Sequence, residues 1–452
     1  MKKSRVLAVL AAGMCSLLAG MAQDADAPLS IKAAVALALN RNPQMLVALA
    51  EQEELKGTIK EVRSEAFPQV TFQGYGLRMR DPSILNSSSF DNVPPDFREA
   101  LVPVASNIFD IGFHVTQPIY TAGKVRTALK LAEESLAEKS AASESVRQHL
   151  TFKVLQAFKN LMLMEANRDI VRETQQQSIK HLEQAKVRFS SGVATEIDVL
   201  RSEVNVANME PDLIRAENRV RLARAMINDL IMADLEAPTK IEGSLEYKPW
   251  DPGSLEEIQV RTLDLRPELQ AARRQVQQAK LTVSLANAQN KLTVDMEAHY
   301  GYAVRELQNL VQSDYKRWNL TVNFKLPLYD SGRKAGLMIQ AQARLRAAEQ
   351  RLAQLENECR LEVKQAYDDM QSSAKAIAAA QLSVQQAEKV LTLMQANYQY
   401  GAATTLDVTD SQTALAEARN SQIGSTYQYE MAKARLRLAS GSPILDREAT
   451  RE

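Results

Sequence analysis

The sequence predicts a mainly helical protein with a small β part, organised as two repeats of one unit. Residues 123–189 lack proline, lack glycine after the first position, and carry apolar residues at steps of three and four, which indicates one unbroken helix. At about 1.5 Å per residue such a helix is roughly 100 Å long, so a compact globular domain does not accommodate it. Four short stretches with alternating apolar and polar residues predict the β part.

The first 22 residues have the pattern of a secretory signal peptide. Basic residues fall within the first five positions, an apolar run follows over residues 6–18, and small residues precede a plausible cleavage site after Ala22. The apolar run is too short for a stable membrane anchor. Cys15 follows Met14 rather than a small residue, so we do not expect it to be lipidated. We therefore predict an exported protein with residues 1–22 as its signal.

The composition argues against several classes of protein. Lysine plus arginine and aspartate plus glutamate number 55 each, which disfavours nucleic acid as a partner. Removal of the signal leaves one cysteine, Cys359, so no internal disulfide is expected. No later segment has 18 consecutive apolar residues, so no transmembrane helix is predicted.

Enzyme signatures are also missing from the sequence: it contains no HExxH, GxSxG, P-loop or CxxC motif. The histidines are far apart along the chain, at His114, His149, His181 and His299. Two of them fall on predicted strands, where we expect them to face a lumen or an interface. We predict no enzymatic activity, no catalytic residues and no cofactor.

Each repeat has the same predicted order of elements: helix, strand, loop, strand, long helix, turn, helix. Repeat 1 covers residues 23–233, with strands at about 69–79 and 108–120 and helices at 124–189 and 195–233. Residues 234–253, rich in proline and glycine, form a predicted connector. Repeat 2 covers residues 254–441, with strands at about 293–305 and 318–329 and helices at 332–398 and 404–440. Residues 442–452 form a short polar tail.

The repeat is visible as constant spacings between matching residues. Seven residues of the first half recur 209 positions later as the same residue type: Pro118, Tyr120, Gly123, Gly192, Thr195, Asp198 and Val199. Upstream, Pro43, Lys56 and Val70 recur at a spacing of 224. The spacing changes where the first loop, residues 81–107, is longer than its counterpart. A register kept over so many residues indicates two copies of one structural unit.

The alternating strands fit a transmembrane β part, with one face toward lipid, one toward water and aromatic residues near the ends. A half-buried soluble sheet is the alternative for any single strand. Closed membrane barrels need about eight strands or more, and an open edge in lipid leaves backbone groups unpaired. The barrel is therefore expected to be shared between several chains. The narrow, alanine-rich helix stripes similarly fit side-by-side packing into a hollow tube.

The sequence resembles the TolC-type outer-membrane efflux and secretion ducts. The most specific segments are Arg188-Phe189-Ser190-Ser191-Gly192-Val193 and Tyr398-Gln399-Tyr400-Gly401, each followed by an Asp-Val pair, and the resemblance extends over residues 29–441. It implies a homotrimer in the bacterial outer membrane, with a shared twelve-stranded β-barrel continued by a helical barrel in the periplasm. The implied partners are a periplasmic adaptor (membrane fusion protein) and an inner-membrane transporter. Periodicity alone would also allow a dimer.

The resemblance also implies functional residues at the periplasmic tip. Adaptor docking is expected at the two helix turns, which comprise Ser191, Gly192, Val193, Gly401, Ala402 and Ala403. Asp407 and Asp410 match two aspartates that form rings at the constriction; three-fold symmetry would gather six carboxylates, which favour cations and bind them weakly. Tyr398 and Asp198 match two partners in the links that close the tip.

One member of that closing set is missing. The family's arginine beside the gate falls at Ala403, so its link to neighbouring helices is absent. Closure is then either looser or supplied by another residue, for which Glu196 and Arg201 are nearby candidates.

A structural role competes with the gating role for two of the aspartates. Asp198 and Asp407 each stand three residues after a threonine, the spacing of a helix-capping box. Both roles remain open for Asp407. Asp410 has Arg201 as its repeat counterpart, so capping does not explain it, and it is the preferred gating residue.

The predicted function is a passive outer-membrane exit duct of a tripartite efflux or type I secretion system. The alternative is a periplasmic coiled-coil scaffold or adaptor without a pore, which would have no need of the four alternating strands. The sequence does not indicate which cargo, adaptor or pump is involved.

Overall fold

The computed structural model describes residues 28–80, 93–94, 97 and 105–445. The predicted signal peptide, most of the predicted loop at 81–107 and residues 446–452 of the predicted tail lie outside the described residues. Two compact units are present: one comprises residues 51–140 and 271–352, and the other comprises the remaining described residues.

The elements follow the predicted order in both halves. The first half contains α1 (Ile31–Arg41), α2 (Pro43–Ser64), β1 (Gln69–Arg80), β2 (Ala105–Tyr120), α3 (Lys124–Ser190) and α4 (Glu196–Leu230). The second half contains α5 (Leu255–Leu265), α6 (Pro267–Asn287), β3 (Thr293–Val304), β4 (Lys316–Lys325), α7 (Arg333–Gln399) and α8 (Thr405–Ala439). Helices α3 and α7 have 67 residues each, and α4 and α8 have 35 each. None of the helices within the described residues combines the length and the apolar character that a membrane crossing requires.

The fourth strand differs from its predicted bounds of 318–329. It ends at Lys325 because its partner β3 begins at Thr293, the residue paired with Lys325, so no backbone remains to pair with the next residues. Pro327, which lacks an N–H donor, follows directly. In the first repeat the strand continues past Pro118, since β3 still offers partners there, and a register shift between Pro118 and Tyr120 absorbs the missing donor.

The backbone conformation before the long helices is the same in both repeats. Each long helix is entered through two successive residues with positive φ: Ala122 and Gly123 (54° and 80°) before α3, and Ser331 and Gly332 (52° and 86°) before α7. The two turns are 209 residues apart. Because only glycine adopts this region without steric cost, the conserved spacing of the glycines reflects the turn geometry of both repeats.

The four strands form one antiparallel sheet in the order β1-β2-β3-β4. One face is apolar and uncovered within the chain: Trp318 and Phe324 are 74% and 71% exposed. Further members of this face are Val70, Phe72, Phe113, Tyr300, Leu320 and Val322, all exposed. The other face carries mainly polar side chains, among them Asp110, His114, Glu297, His299, Arg317 and Asn319. The period-two alternation therefore separates the faces as predicted.

The unit that includes residues 141–270 and 353–445 contains two buried clusters, and seven residues of one are the repeat counterparts of seven residues of the other. The first includes Ala34, Val154, Ala157, Leu161, Val220, Ala223 and Ile227. The second includes Ile258, Val363, Ala366, Met370, Tyr429, Ala432 and Leu436. The first pair is 224 residues apart and the other six pairs are 209 apart. Each cluster thus packs a short helix against the middle of a long helix and the second half of the helix that follows it, and burial of each large side chain contributes about 1.5–3 kcal/mol.

Each long helix ends in the same hydrogen-bonded turn. Gly192 has φ 74° and donates to the carbonyl of Phe189 (2.9 Å), while the Val193 amide donates to the carbonyl of Arg188 (3.0 Å). The equivalent bonds after α7 run from Gly401 to Tyr398 (3.1 Å) and from Ala402 to Asn397 (2.9 Å). This is the Schellman arrangement, in which a left-handed residue satisfies the last carbonyls of a helix.

Replacement of Gly401 by alanine should loosen this turn. No atom lies within 4 Å of the added Cβ, so the penalty comes from the positive φ of 77° alone and amounts to about 1–2 kcal/mol. Hydrogen exchange of the amides of residues 399–403 should accelerate roughly 5- to 30-fold. The control is Gly57→Ala in the middle of α2, where φ is not positive and the space is open, so that local exchange should slow. Equal effects at the two sites would contradict the role given to φ.

Candidate functional site at the helix turns

The predicted docking residues form the two turns that join α3 to α4 and α7 to α8. Ser191, Gly192 and Val193 are exposed, as are Gly401 and Ala402, whereas Ala403 is half-buried. After each turn the next helix begins at a threonine cap, Thr195 or Thr404. Each turn is therefore held by the hydrogen bonds that end one helix and by the cap that begins the next, and most of its side chains are small and exposed. Their role in docking stays a prediction.

Tyr398 lies at the centre of the site. Its side chain is buried, and the Arg188 guanidinium lies over its ring at 4.8 Å from the centroid. Nη1 of Arg188 donates to the carbonyls of Tyr398 (2.9 Å) and Gln399 (3.0 Å). These carbonyls belong to the last turn of α7, where free acceptors and the negative end of the helix dipole favour a cation. Arg188 thus fastens the end of α3 to the end of α7.

This role of Arg188 was not predicted from the sequence. The alternatives drawn from the sequence were a looser closure or a substitute for the arginine missing at Ala403, with Glu196 and Arg201 as nearby candidates; both of these side chains are exposed. The side chain of Arg201 contributes only by helping to lower the pKa of Asp198 through its charge. The available signal was the position of Arg188 in the last turn of a long helix, within the segment that carried the family resemblance.

A second connection joins the beginnings of α4 and α8. Thr405, which is buried, shares a hydrogen bond with the Tyr398 hydroxyl (3.4 Å). The pKa of Asp198 lies below its ordinary value because Thr195 donates to the carboxylate from its hydroxyl and its backbone, with a smaller contribution from Thr405. The structure therefore brings together two of the predicted residues, Asp198 and Tyr398, through Thr405.

Both repeat-related aspartates cap their helices. The Asp198 carboxylate accepts from the amide (3.0 Å) and the hydroxyl (2.7 Å) of Thr195, and Asp407 accepts from the same groups of Thr404 (2.8 and 2.7 Å). The same bonds lower the pKa of Asp407. Both side chains are therefore ionised at neutral pH and complete capping boxes. The capping role of Asp407 is confirmed, and its role at a constriction stays a prediction.

Asp410 differs from the capping aspartates. It is exposed and makes no hydrogen bond or ion pair with any residue in the described part of the chain. It lies one turn after Asp407 on the same helix face. Its carboxylate is available for interactions outside the chain, so it remains the preferred candidate for a constriction.

Comparison with known proteins assigns the chain to a family. The model of the outer membrane efflux protein family matches residues 34–231 and 260–442. The chain belongs to this family. The two matched segments follow the two repeats, and the predicted resemblance is confirmed.

Relatives within the family are distant but cover nearly the whole chain. The outer membrane protein TolC of Vibrio cholerae is 22% identical over 90% of this chain and 89% of its own. The cation efflux system protein CusC of Escherichia coli is 22% identical over 91% and 85%. The crystal structure of the Campylobacter jejuni CmeC outer membrane channel superimposes with a TM-score of 0.78 at 17% identity, covering 93% of this chain and 88% of that one. This outer membrane channel structure and the two segments matched by the family model confirm the predicted fold class, mainly helical with a small sheet in two repeated halves.

His181 also lies in this cluster, although no feature of the sequence places it here. It is buried, its ring lies 4.9 Å from that of Tyr398, and its Nε2 has no hydrogen-bond partner. Burial lowers the pKa of His181 from its ordinary 6.5, and the Asp198 carboxylate only partly opposes this. Burial in this arrangement therefore favours the neutral form of the imidazole.

Acid should therefore loosen the contacts around Tyr398. When the contacts around Tyr398 open, His181 binds a proton near pH 6.5, whereas the buried His181 binds one only at lower pH. The stability of these contacts is therefore fully present above about pH 6.5 and falls below it. Hydrogen exchange of the amides of residues 398–405, corrected for intrinsic rates, should be several-fold less protected at about pH 5.5 than at about pH 7.5.

His181→Gln should remove this pH dependence, and His149→Gln, at an exposed position on the same helix, should retain it. An unchanged pH dependence in His181→Gln would show that other groups titrate at the tip.

Proposed function

We propose that this chain is one of three identical subunits of an outer-membrane exit duct that extends into the periplasm. The duct passively conducts substrates delivered by an inner-membrane transporter and a periplasmic adaptor. The observation that carries the proposal is the single-layer sheet, with an uncovered apolar face and two unpaired edges.

The apolar face fits lipid. It holds large side chains with most of their surface exposed, including Trp318 and Phe324, while the opposite face is mainly polar. A soluble protein rarely leaves so large a contiguous apolar surface exposed. In a transmembrane barrel the same alternation places apolar residues toward the acyl chains and polar residues toward the lumen.

The edges require further copies of the chain. Among the described residues, β1 and β4 each have one neighbour in the sheet, so each leaves one row of backbone donors and acceptors unpaired there. Unpaired backbone groups in lipid cost several kcal/mol each, and closed barrels need about eight strands or more. Two copies satisfy this minimum; three copies follow the family resemblance. β4 of one subunit then pairs with β1 of the next.

The helices carry a matching surface. Apolar residues remain exposed along α4 and α7 within one chain; examples are Val204, Ile214, Leu222, Leu361, Leu382 and Leu393. In a ring of subunits these residues pack between neighbouring helices, which continues the barrel as a helical tube. A pore-free scaffold or adaptor accounts for such helices but leaves the apolar sheet face unexplained.

The helix turns form the periplasmic end of this tube in the proposal. Residues 191–193 and 401–403, all exposed except the half-buried Ala403, meet the adaptor. Asp407 and Asp410 of each subunit surround the constriction, where Asp407 remains tied to its cap and Asp410 faces the passage. Links through Tyr398 and Asp198 hold the helix pairs of one subunit together when the passage is closed.

The first test is to fractionate the expressed protein and measure the mass of its detergent-extracted form. An outer-membrane trimer supports the proposal, whereas a species soluble without detergent contradicts it.

Leu320→Lys, on the apolar face, should block membrane insertion, since a lysine facing lipid costs up to about 4 kcal/mol. Thr321→Lys, the next residue on the polar face, is the control and should insert. Equal insertion of both variants would show that this face does not meet lipid.

The constriction is tested by Asp410→Ala in planar bilayers. Loss of these carboxylates should raise single-channel conductance or weaken block by divalent cations, because the negative ring holds divalent cations that obstruct the passage. Glu417→Ala, an exposed carboxylate two turns later on the same helix, is the matched control and should leave both properties unchanged. If Asp410→Ala behaves as the parent protein does, Asp410 is not at the constriction.

A further inference from the structure

Two histidines that are far apart in the sequence meet on the polar face of the sheet. His114 on β2 and His299 on β3 are directly opposite in the register, and His299 Nδ1 lies 2.8 Å from His114 Nε2. Asp110 lies on the same face of β2, and its Oδ1 is 3.5 Å from His299 Nε2. One nitrogen of each imidazole and one carboxylate oxygen all fall within 4.8 Å of one another.

A pair of glycines makes this meeting possible. Gly112 stands between Asp110 and His114 on β2 and pairs with Gly301 of β3. A Cβ on Gly112 would lie 2.8 Å from Cε1 of His299 and 2.6 Å from the carbonyl oxygen of Tyr300, closer than real contacts allow. The imidazole of His299 therefore lies across a strip without side chains and reaches a carboxylate on the far side of it.

The cluster is buried but not internally satisfied. His299 and Asp110 are 7% and 5% exposed, yet His299 Nε2 has no hydrogen-bond partner among the described residues. Asp110 Oδ2 accepts from Nη1 of Arg317 (3.2 Å), which leaves Oδ1 directed toward His299. A buried polar nitrogen without a partner costs free energy.

The bond between the two imidazoles sharpens this point. Only one of the two nitrogens that share it can donate a proton. If His299 donates through Nδ1, its Nε2 carries a lone pair that faces a carboxylate oxygen with no proton between them. If His299 accepts, the Nε2 proton points at an oxygen 3.5 Å away, beyond a normal hydrogen bond. In the first tautomer, the two facing lone pairs define a position for a cation.

We propose that His114, His299 and Asp110 form a binding site for a divalent transition-metal ion of the zinc and copper class. Two imidazoles and one carboxylate are ligands that such ions prefer, whereas Mg²⁺ and Ca²⁺ prefer oxygen donors throughout. Binding moves the imidazoles slightly apart and replaces the hydrogen bond between them. Arg317, which is half exposed, keeps its contact with the second carboxylate oxygen and holds the carboxylate in orientation.

The pocket around the cluster leaves room for water to complete the coordination. It has a volume of about 170 Å³ and is also lined by Tyr75, Glu297, Asn319 and Thr321. If the sheet forms part of the proposed barrel, this pocket opens on the lumen and each subunit contributes one ion to the passage. This last consequence rests on the proposed function, but metal binding by the sheet does not.

The test is titration of the detergent-extracted full chain with Zn²⁺, Cu²⁺ or Mg²⁺ alone, followed by isothermal calorimetry. Zn²⁺ and Cu²⁺ should each bind to this site at one ion per chain, and Mg²⁺ should not bind to it. The electron paramagnetic resonance spectrum of the Cu²⁺ form should show coupling to imidazole nitrogen. Absence of this coupling in the unaltered protein overturns the proposal without any variant.

Variants identify the ligands. His299→Gln and Asp110→Asn should each lower the affinity for Zn²⁺ more than about 100-fold, since loss of a ligand exceeds the effect of losing its outer partner. His149→Gln, which alters an exposed histidine on α3, should leave the affinity unchanged. Unchanged Zn²⁺ binding in both ligand variants would show that the cluster is only a hydrogen-bonded feature of the sheet. Trimer mass and membrane insertion are measured in parallel, so failure of the duct and failure of the metal site are distinguishable.

Discussion

The apolar face of the four-stranded sheet is the feature on which the rest of the architecture depends. No described part of the chain covers it, and both edge strands end the hydrogen-bond ladder. In water such a sheet would be an aggregation hazard. In the proposed duct, lipid on the apolar face and neighbouring subunits at both edges remove the two problems together. Helix α3 follows β2 after residues 121–123 and α7 follows β4 after residues 326–332, and each helix is entered through the same left-handed turn.

The two repeats share their scaffold and differ where function is expected. The cores around Val154 and Val363 match closely, as do the two caps. Phe189, the counterpart of Tyr398, is exposed, whereas Tyr398 is buried beneath Arg188. At this pair of positions, the two copies of the unit therefore have different surroundings.

The polar residues of the molecule divide into satisfied and available groups. The Asp407 carboxylate accepts hydrogen bonds within its own helix cap, and the Asp198 carboxylate does the same and also accepts from Thr405. Asp410, His181 and His299 each retain an unused charge or nitrogen. Residue type alone does not reveal this difference between satisfied and available groups, since the three aspartates are chemically identical.

The sequence alone determined the elements, their order and the two-fold repeat, because these depend on local periodicity, glycine positions and capping spacings that each segment carries for itself. It also placed the turns and the caps. The tertiary structure decided which distant residues meet: Arg188 with Tyr398, and His114 with His299, are separated by 210 and 185 residues, respectively. It also decided where β4 ends, since that depends on the length of its partner. Strand register and helix rotation fix such contacts, and neither is encoded in the spacing of residues within one segment.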